Sequence, residues 1–132
     1  IKYMNISTKH VEQIISAESK ALATSCSMGI NVVPVSTIKY LDEKIILVNY
    51  FMGKTLNNIK ENPEVALVCW KGLEGIQIKG VTEYVEKGDL YTSIKEWVKQ
   101  ILPDRVVKGI LVLTPHEMYD ISVTSSQPRK KL

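Results

Sequence analysis

The stretch at residues 50–58, Tyr-Phe-Met-Gly-Lys-Thr-Leu-Asn-Asn, holds the residue types best suited to chemistry in this sequence. An apolar strand pattern ends there and a helical pattern begins, and Gly53 lets a ligand approach the backbone closely. Lys54 and Thr55 fall in the first helical turn, where unpaired N–H groups and the helix dipole favour an anion. A lysine there opposes the dipole unless an anion lies beside its ammonium. The turn therefore predicts a phosphate site, with a solvated lysine beside an ordinary helix start as the alternative.

The other candidates for catalysis are few. His10 falls in a helical segment and His116 in a late turn, and neither has a Ser, Cys or Asp partner suggested by its position. Cys26 and Cys69 have no neighbour at metal-ligand spacing, so both are expected to be buried apolar residues. Dinucleotide-binding and P-loop glycine motifs do not occur. If the protein is an enzyme, we expect a cofactor to supply the difficult chemistry.

The elements that must position this turn follow from periodicity and from turn residues. Helical spacing predicts helices at residues 8–18, with Ser7 or Thr8 as N-cap, 54–61 and 90–102. Strand patterns cover residues 21–26, 31–40, 45–50, 64–70, 76–85, 109–114 and 117–123. Pro34 predicts an edge or a bulge in the second strand, and Pro115-His116 a turn between the last two.

The order of these elements indicates a mainly β protein. About seven strands follow one another through tight turns, with about three helices between or beside them, and no βαβ crossover is indicated. An antiparallel β-barrel with peripheral helices suits this order best. At 132 residues and 45% apolar content, the chain is expected to form a single domain over residues 1–132, with a polar, flexible tail at 125–132.

Charge and hydropathy exclude several classes of function. The net charge of +3 equals the contribution of Arg129, Lys130 and Lys131, so the rest of the chain is nearly neutral and a nucleic-acid surface is not expected. The longest apolar run, at 45–48, is far too short for a membrane span. The first residues do not resemble a signal peptide, so we expect a cytoplasmic protein.

Nearly half of the chain, from about Ala21 to Gly80, resembles the FMN-binding split-barrel family related to pyridoxamine 5′-phosphate oxidase. The resemblance rests on the order and spacing of five segments. These are Leu22-Ala23-Thr24, Asn31-Val32-Val33-Pro34-Val35, Phe51-Met52-Gly53-Lys54-Thr55, residues 57–67 and Gln77-Ile78-Lys79-Gly80. The resemblance implies an antiparallel split β-barrel, and a homodimer with two FMN molecules at the subunit interface.

It also implies the residues that would hold FMN. The strand Pro34, Val35, Ser36, Thr37, Ile38 and Lys39 would lie along the isoalloxazine, with Lys39 near N1 and O2, where it would favour the reduced anion. Val48 and Asn49 would lie beside the ring and ribityl chain. Met52, Gly53, Lys54 and Thr55 would form the phosphate site, with Asn58 reaching the phosphate or ribityl hydroxyls. Trp70 and Gln77 of the other subunit would cover the flavin.

The sequence departs from true pyridoxamine 5′-phosphate oxidase where that enzyme holds its substrate. The chain is much shorter, it lacks the basic C-terminal segment, for which Arg129 is no convincing substitute, and it has Pro34 where the oxidase has arginine. Vitamin B6 oxidation is therefore not assigned. The leading hypothesis is an FMN-dependent oxidoreductase that transfers hydride through flavin N5 to or from an unidentified small molecule, such as a quinone or nitro compound, with NADH or NADPH as reductant.

Three alternatives to this hypothesis remain open. The protein could carry FMN as an electron-transfer or sensor protein without a substrate of its own. It could have replaced FMN by haem or a deazaflavin, although a phosphate site argues against haem. A barrel that binds single-stranded nucleic acid would need aromatic and basic residues interleaved on exposed strands, and only the tail is distinctly basic.

Overall fold

The computed structural model describes residues 4–132, and within them it contains three helices and eight strands. The helices are α1 (Thr8–Ile15), α2 (Lys54–Glu61) and α3 (Asp89–Ile101). The strands are β1 (Ser19–Cys26), β2 (Gly29–Pro34), β3 (Ile38–Leu41), β4 (Lys44–Asn49), β5 (Glu64–Lys71), β6 (Glu74–Val85), β7 (Gly109–Asp120) and β8 (Lys130–Lys131). The mainly β fold expected from the sequence is confirmed: it is an antiparallel split barrel.

The strands form one sheet in the order β2-β1-β5-β6-β7-β4-β3, and β8 adds to β7. Every described pairing is antiparallel. The two end strands, β2 and β3, are consecutive in the chain. Between them the Val35 amide donates to the Lys20 carbonyl on β1 (3.0 Å), and the Thr37 carbonyl accepts from the Val48 amide on β4 (3.2 Å). Residues 35–37 therefore bridge the two ends of the sheet, at the point where the barrel closes.

Alternation along the strands separates an inner from an outer face. Leu22, Leu67, Ile78 and Met118 are register partners on four neighbouring strands and are all buried in the barrel core. Strand β4 is apolar on both faces because its outer side is covered too. Its inward residues join the barrel core, while its outward residues pack with Ile94 and Val98 of α3 in a second apolar cluster. The continuous apolar run at 45–48 is thus typical of a doubly covered strand.

The helices follow their sequence signals closely. Helix α2 has the predicted bounds, since Asn62 before Pro63 takes an extended conformation and stops it. Helix α3 ends just before Pro103, as predicted. Helix α1 is shorter than predicted and stops at Ile15 rather than Glu18. Its N-cap is Ser7, whose side chain accepts from the His10 amide.

Two expectations about strands are corrected. The predicted strand 31–40 is two strands: β2 ends at Pro34, which has no N–H to donate, and the pairing with β4 begins four residues later, at Ile38. The predicted turn at Pro115-His116 is a bulge within the continuous strand β7, where the register with β6 shifts at Gly80. A Cβ on Gly80 would collide with the Thr114 carbonyl, so the two backbones approach closely there.

The C-terminal tail also differs from its expected frayed form. Lys130–Lys131 pairs with Tyr119 and Asp120 of β7 as strand β8. The Leu132 amide donates to the Met118 carbonyl (2.9 Å), and the Leu132 side chain packs against the barrel core. The polar segment is therefore held on the sheet by backbone pairing and by the apolar Leu132. Its composition alone does not indicate this.

Candidate functional site

A groove runs between the barrel closure at 35–37 and the turn that leads into α2. Its volume is about 530 Å³. It is lined by Asn31, Val33, Pro34, Val35, Ser36, Val48, Tyr50, Phe51, Met52, Gly53, Lys54 and Arg105. We call it the Lys54 groove. Its walls are mostly apolar, and its two cations, Lys54 and Arg105, are both exposed to solvent.

Hydrogen bonds of buried side chains fix the turn that leads into α2. The buried Asn49 side chain accepts from the Met52 amide through Oδ1 (2.7 Å) and donates to the Tyr84 hydroxyl through Nδ2 (2.9 Å). The buried hydroxyls of Tyr50 and Thr37 are 2.8 Å apart, which ties the turn to the barrel closure. Asn49 and Thr37 thus support the groove and do not line it. Phe51, in contrast, is 87% exposed.

Helix α2 begins at the groove without a side-chain cap. Its N-cap is Gly53, whose carbonyl accepts from the amides of Leu56 and Asn57, and no side chain accepts from the first turn as Ser7 does in α1. A helix leaves its first N–H groups without intrahelical partners. The start of α2 therefore keeps its capacity to bind an anion, and the exposed Lys54 adds a positive charge there.

Arg105 is a groove residue that the sequence did not indicate. It lies in the loop after α3, where its amide donates to the Leu102 carbonyl (3.0 Å). Its guanidinium carbon is 5.1 Å from the centroid of the Tyr50 ring. The loop has no motif around this residue, so only the three-dimensional fold brings it to Lys54. Asn31, Val33, Tyr50 and Phe51 also line the groove without having been predicted as site residues.

The groove brings together seven of the fifteen predicted site residues: Pro34, Val35, Ser36, Val48, Met52, Gly53 and Lys54. Thr55 and Asn58 do not line the groove and are fully buried. Thr55 Oγ1 accepts from Asn31 Nδ2 (3.2 Å), and Asn58 Nδ2 donates to Thr24 Oγ1 (3.0 Å). These two side chains fasten α2 to the hairpin of β1 and β2, and the structure does not bring them to the groove.

Ile38 and Lys39 also lie elsewhere. Ile38 is buried in the barrel core. Lys39 faces the opposite side of β3, where its ammonium lies 4.3 Å from the ring centroid of Trp97 on α3. A contact of this geometry is a cation–π interaction, which gives Lys39 a structural partner away from the groove. Its place beside the flavin ring stays a prediction.

Trp70 and Gln77 lie on the outer face of the sheet, outside the Lys54 groove of their own chain. Trp70 lines a neighbouring cavity of about 610 Å³ that shares Val33, Pro34, Val35 and Ser36 with the groove. Gln77 Oε1 accepts from Arg129 Nη2 (3.2 Å). Their predicted contact with a flavin in another subunit stays a prediction.

The cysteine and histidine side chains that could be reactive lie outside the Lys54 groove. Burial raises the pKa of the Cys69 thiol to about 12, so this cysteine stays protonated. His10 Nδ1 lies 3.0 Å from the hydroxyl of the cap residue Ser7, and His116 lies at the bulge in β7. Within residues 4–132, no group of His, Cys, Asp and Glu has the geometry of a metal site.

Among residues 4–132, no helix combines the length and the apolar character that crossing a bilayer requires.

Comparison with known proteins connects this geometry to a family. Residues 6–122 match a family model described as pyridoxamine 5′-phosphate oxidase. The chain is similar to the uncharacterized protein MJ0282 of Methanocaldococcus jannaschii, with 33% identity over 119 residues, 86% of this chain and 80% of that protein.

Two solved structures share the fold at low sequence identity. An FMN-binding protein from Syntrophomonas wolfei has a TM-score of 0.73 and 19% identity, covering 89% of each chain. HutZ, the haem storage protein from Vibrio cholerae, has a TM-score of 0.69 and 14% identity, covering 88% of this chain and 94% of that chain. The same fold thus occurs in proteins named for different cofactors.

Proposed function

This chain belongs to the pyridoxamine 5′-phosphate oxidase family, and from that premise we propose that the Lys54 groove binds FMN and that the protein is an FMN-dependent oxidoreductase. The observation that carries the proposal is the pair of exposed cations, Lys54 and Arg105, in a groove where α2 begins uncapped. A phosphate monoester is the ligand group that such a combination of cations and free helix N–H groups binds best.

The rest of the groove fits a flat, largely apolar ring system. Its volume lies within the usual range of cofactor sites. Val35 and Val48 are buried and belong to the closed end of the barrel, so they form a rigid wall that excludes water. Pro34 and Ser36 are exposed on the same side of the groove, where backbone groups are accessible to the polar edge of a ring.

When bound, FMN supplies hydride or electron transfer through its N5 atom. In this proposal Lys54 and Arg105 bind the phosphate, the walls orient the ring, and the hydrogen bond between Thr37 and Tyr50 keeps the turn and the barrel closure at a fixed separation. The substrate is a small molecule, and NADH or NADPH is the proposed reductant.

The proposal includes a cytoplasmic homodimer with FMN between the subunits. Strand β2 is an end strand of the sheet and exposes Ile30 (81%) and Val32 (61%) beside the groove, and Trp70 is 38% exposed on the same face. Apolar side chains clustered on an edge strand favour association with a second copy.

The direct test compares FMN with riboflavin, which lacks the phosphate. Replacing Lys54→Ala or Arg105→Gln should raise the Kd for FMN about tenfold each, since each change removes a charge-assisted contact. The Kd for riboflavin should change less than twofold. Both can be measured from the quenching of flavin fluorescence. Lys60→Ala, an exposed lysine in the last turn of α2, is the control and should leave both constants unchanged.

An equal loss of FMN and riboflavin affinity would contradict the phosphate site. If FMN is bound, oxidation of NADH or NADPH should be tested with quinone and nitroaromatic acceptors. Saturable turnover would support the enzyme, whereas flavin reduction without turnover of any acceptor would favour the electron-transfer or sensor protein.

Haem is the second candidate, because HutZ has the same fold. Histidine is a common axial ligand of haem iron, and neither His10 nor His116 lines the Lys54 groove. The absorption spectrum separates the candidates, since haem gives an intense Soret band and oxidised flavin gives two weaker bands in the near ultraviolet and blue. A stoichiometric Soret band with no FMN affinity would overturn the flavin proposal.

A further inference from the structure

The C-terminal segment crosses the end of β7 and brings a guanidinium onto the outer face of the sheet. Its last residues are fixed by the β8 pairing and by Leu132, which packs on the barrel core. Arg129 precedes β8 and has a φ of 52°, in the left-handed region that is uncommon for residues other than glycine. The chain turns there so that the Arg129 side chain lies over β6 and β7.

Arg129 contacts two side chains on neighbouring strands. Its guanidinium carbon lies 3.9 Å from the centroid of the Tyr119 ring, and Nη2 donates to Gln77 Oε1 (3.2 Å). The Tyr119 hydroxyl donates in turn to Glu117 Oε1 (2.8 Å). Gln77 and Tyr119 are register partners on β6 and β7. A planar guanidinium can stack on the ring and bond to the amide at the same time, which an ammonium cannot do as well.

This contact decides which end of the Gln77 amide is free. Because Oε1 accepts from Arg129, the NH₂ group of Gln77 is left to donate to another molecule. A carbonyl oxygen or an anionic ring nitrogen is the partner that such a donor fits. Without Arg129 the half-buried side chain could rotate and present either its oxygen or its nitrogen.

The donor is too far from the groove of its own chain to serve it. Pro34, Ala21, Val68 and Gln77 are successive register partners on the outer faces of β2, β1, β5 and β6. Three strand spacings separate Pro34 from Gln77, or about 14 Å. Gln77 does not line the Lys54 groove of its own chain, so in the proposal the donor comes from a second copy of the chain.

We propose that Arg129 is a positioning residue, which holds Gln77 so that its NH₂ group donates to FMN bound in the groove of the partner subunit. This rests on the proposed function, because it requires both FMN and the homodimer. Arg129 does not touch the cofactor itself. The C-terminal segment is then part of the site although it lies outside the groove.

The first measurement needs no cofactor. In a ¹⁵N–¹H spectrum of the FMN-free protein, the Gln77 side-chain amide, assigned by its loss in Gln77→Glu, should give a dispersed pair of signals. Arg129→Gln should shift both signals to values typical of a free amide. Arg129→Lys should do the same, because the ammonium lacks the planar fork. The control Lys131→Gln removes a charge from the same segment and should leave the pair unchanged.

The second measurement is the affinity for FMN. Arg129→Gln should raise the Kd about fivefold, the size expected when a donor at an exposed site loses its orientation, and Lys131→Gln should change it less than twofold. Unchanged Gln77 signals in Arg129→Gln would overturn the proposal at its first step. Shifted Gln77 signals with unchanged FMN affinity would overturn the role of Arg129 in FMN binding. The phosphate site would be unaffected by that result if Lys54→Ala still weakens FMN binding. A wild-type protein without FMN affinity refutes the proposed function and with it this role, whatever the Gln77 signals show.

Discussion

Asn58 is the residue whose surroundings distinguish most clearly between support of the fold and contact with a ligand. Its side chain is fully buried and donates to the buried Thr24 hydroxyl, while no residue of the described chain bonds to its Oδ1. A buried amide with a single bond costs more to desolvate than a fully bonded one. Its contact with Thr24 nevertheless joins α2 to β1, on the side of the helix away from the groove.

Replacing Asn58 by Ala is therefore expected to affect folding and not cofactor binding. The change removes the bond to Thr24, leaves that hydroxyl unpaired and opens a small cavity, so the free energy of unfolding should fall by about 2 kcal/mol. Urea denaturation of the FMN-free protein measures this. Asn57→Ala, at an exposed position on the same helix, should cost little. The Kd for FMN should stay within twofold in both variants, and a tenfold increase for Asn58→Ala alone would instead support the prediction that Asn58 reaches the cofactor.

At the scale of elements, one carboxylate connects the two walls of the groove. The tip of the β1–β2 hairpin binds the end of α2: the Ser27 amide donates to Glu61 Oε2 and the Ser27 hydroxyl to Glu61 Oε1, both at 2.7 Å. The hairpin carries Asn31 and Val33 of the groove, and α2 begins at Lys54. The clasp between Glu61 and Ser27 thus restrains the hairpin and the helix on which the two walls are built.

The clasp gives a pH dependence whose sign follows from the pKa of Glu61. The Ser27 hydroxyl and then its amide lower this pKa below its ordinary value of 4.5, because both bond to the charged form. The stabilisation is present above the ordinary value and is lost as the pH falls through the lowered value. Glu61→Gln should therefore lower the Tm at pH 7, and the difference from the wild type should shrink below about pH 4.5.

Thermal unfolding followed by circular dichroism from pH 7 to pH 3 measures this difference. Glu12→Gln is the control, because it removes an exposed carboxylate from α1, and its Tm difference from the wild type should be small throughout. A Tm difference for Glu61→Gln that stays constant down to pH 3 would mean that the charge of Glu61 does not matter.

Elements whose signals are local could be predicted from the sequence, and those set by distant neighbours could not. Helix α2 is bounded by Gly53 and by Asn62-Pro63, so its limits follow from the chain itself. Pro115 marks a turn in most sequences, yet here β6 runs alongside and the irregularity becomes a bulge opposite Gly80. Strand β8 forms because β7 offers it an unpaired edge, which no local pattern in residues 125–132 reveals.

At the scale of the whole molecule, the site residues with local sequence signals could also be predicted, and those brought in by distant parts of the chain could not. Lys54 and Gly53 could be predicted because a strand end, a glycine and a helix start lie together in the chain. Arg105 could not, because a loop after α3 meets the turn only in the folded barrel. The resemblance placed Lys39 beside the ring by strand position, but the structure pairs it with Trp97, since α3 covers that face of β3. The position of a residue along a strand therefore indicates which part of the fold it lies in. The face of the sheet to which its side chain points also depends on which helix packs against that strand.

The homodimer is the property of the whole molecule that most needs a test, because in the proposal the site is complete only with a second copy. Val32 is 61% exposed on the end strand β2, and its register partners continue through Ala23 and Ala66 to Lys79 on the outer face. Two such faces could pack closely because their central residues are small. Val32→Asp would place a charge within this contact, where a desolvated carboxylate without a partner is strongly unfavourable.

Light scattering coupled to size exclusion should give the wild type twice the 14.9 kDa of one chain, and Val32→Asp the mass of a single chain. The monomeric variant should also bind FMN at least tenfold more weakly, because it lacks the groups that a second copy contributes. Ile101→Asp, a partly exposed position at the end of α3, carries the same charge on a different surface and should remain a dimer. A Val32→Asp monomer with unchanged FMN affinity would show that one chain holds the cofactor alone, and Gln77 would then have no part in the site.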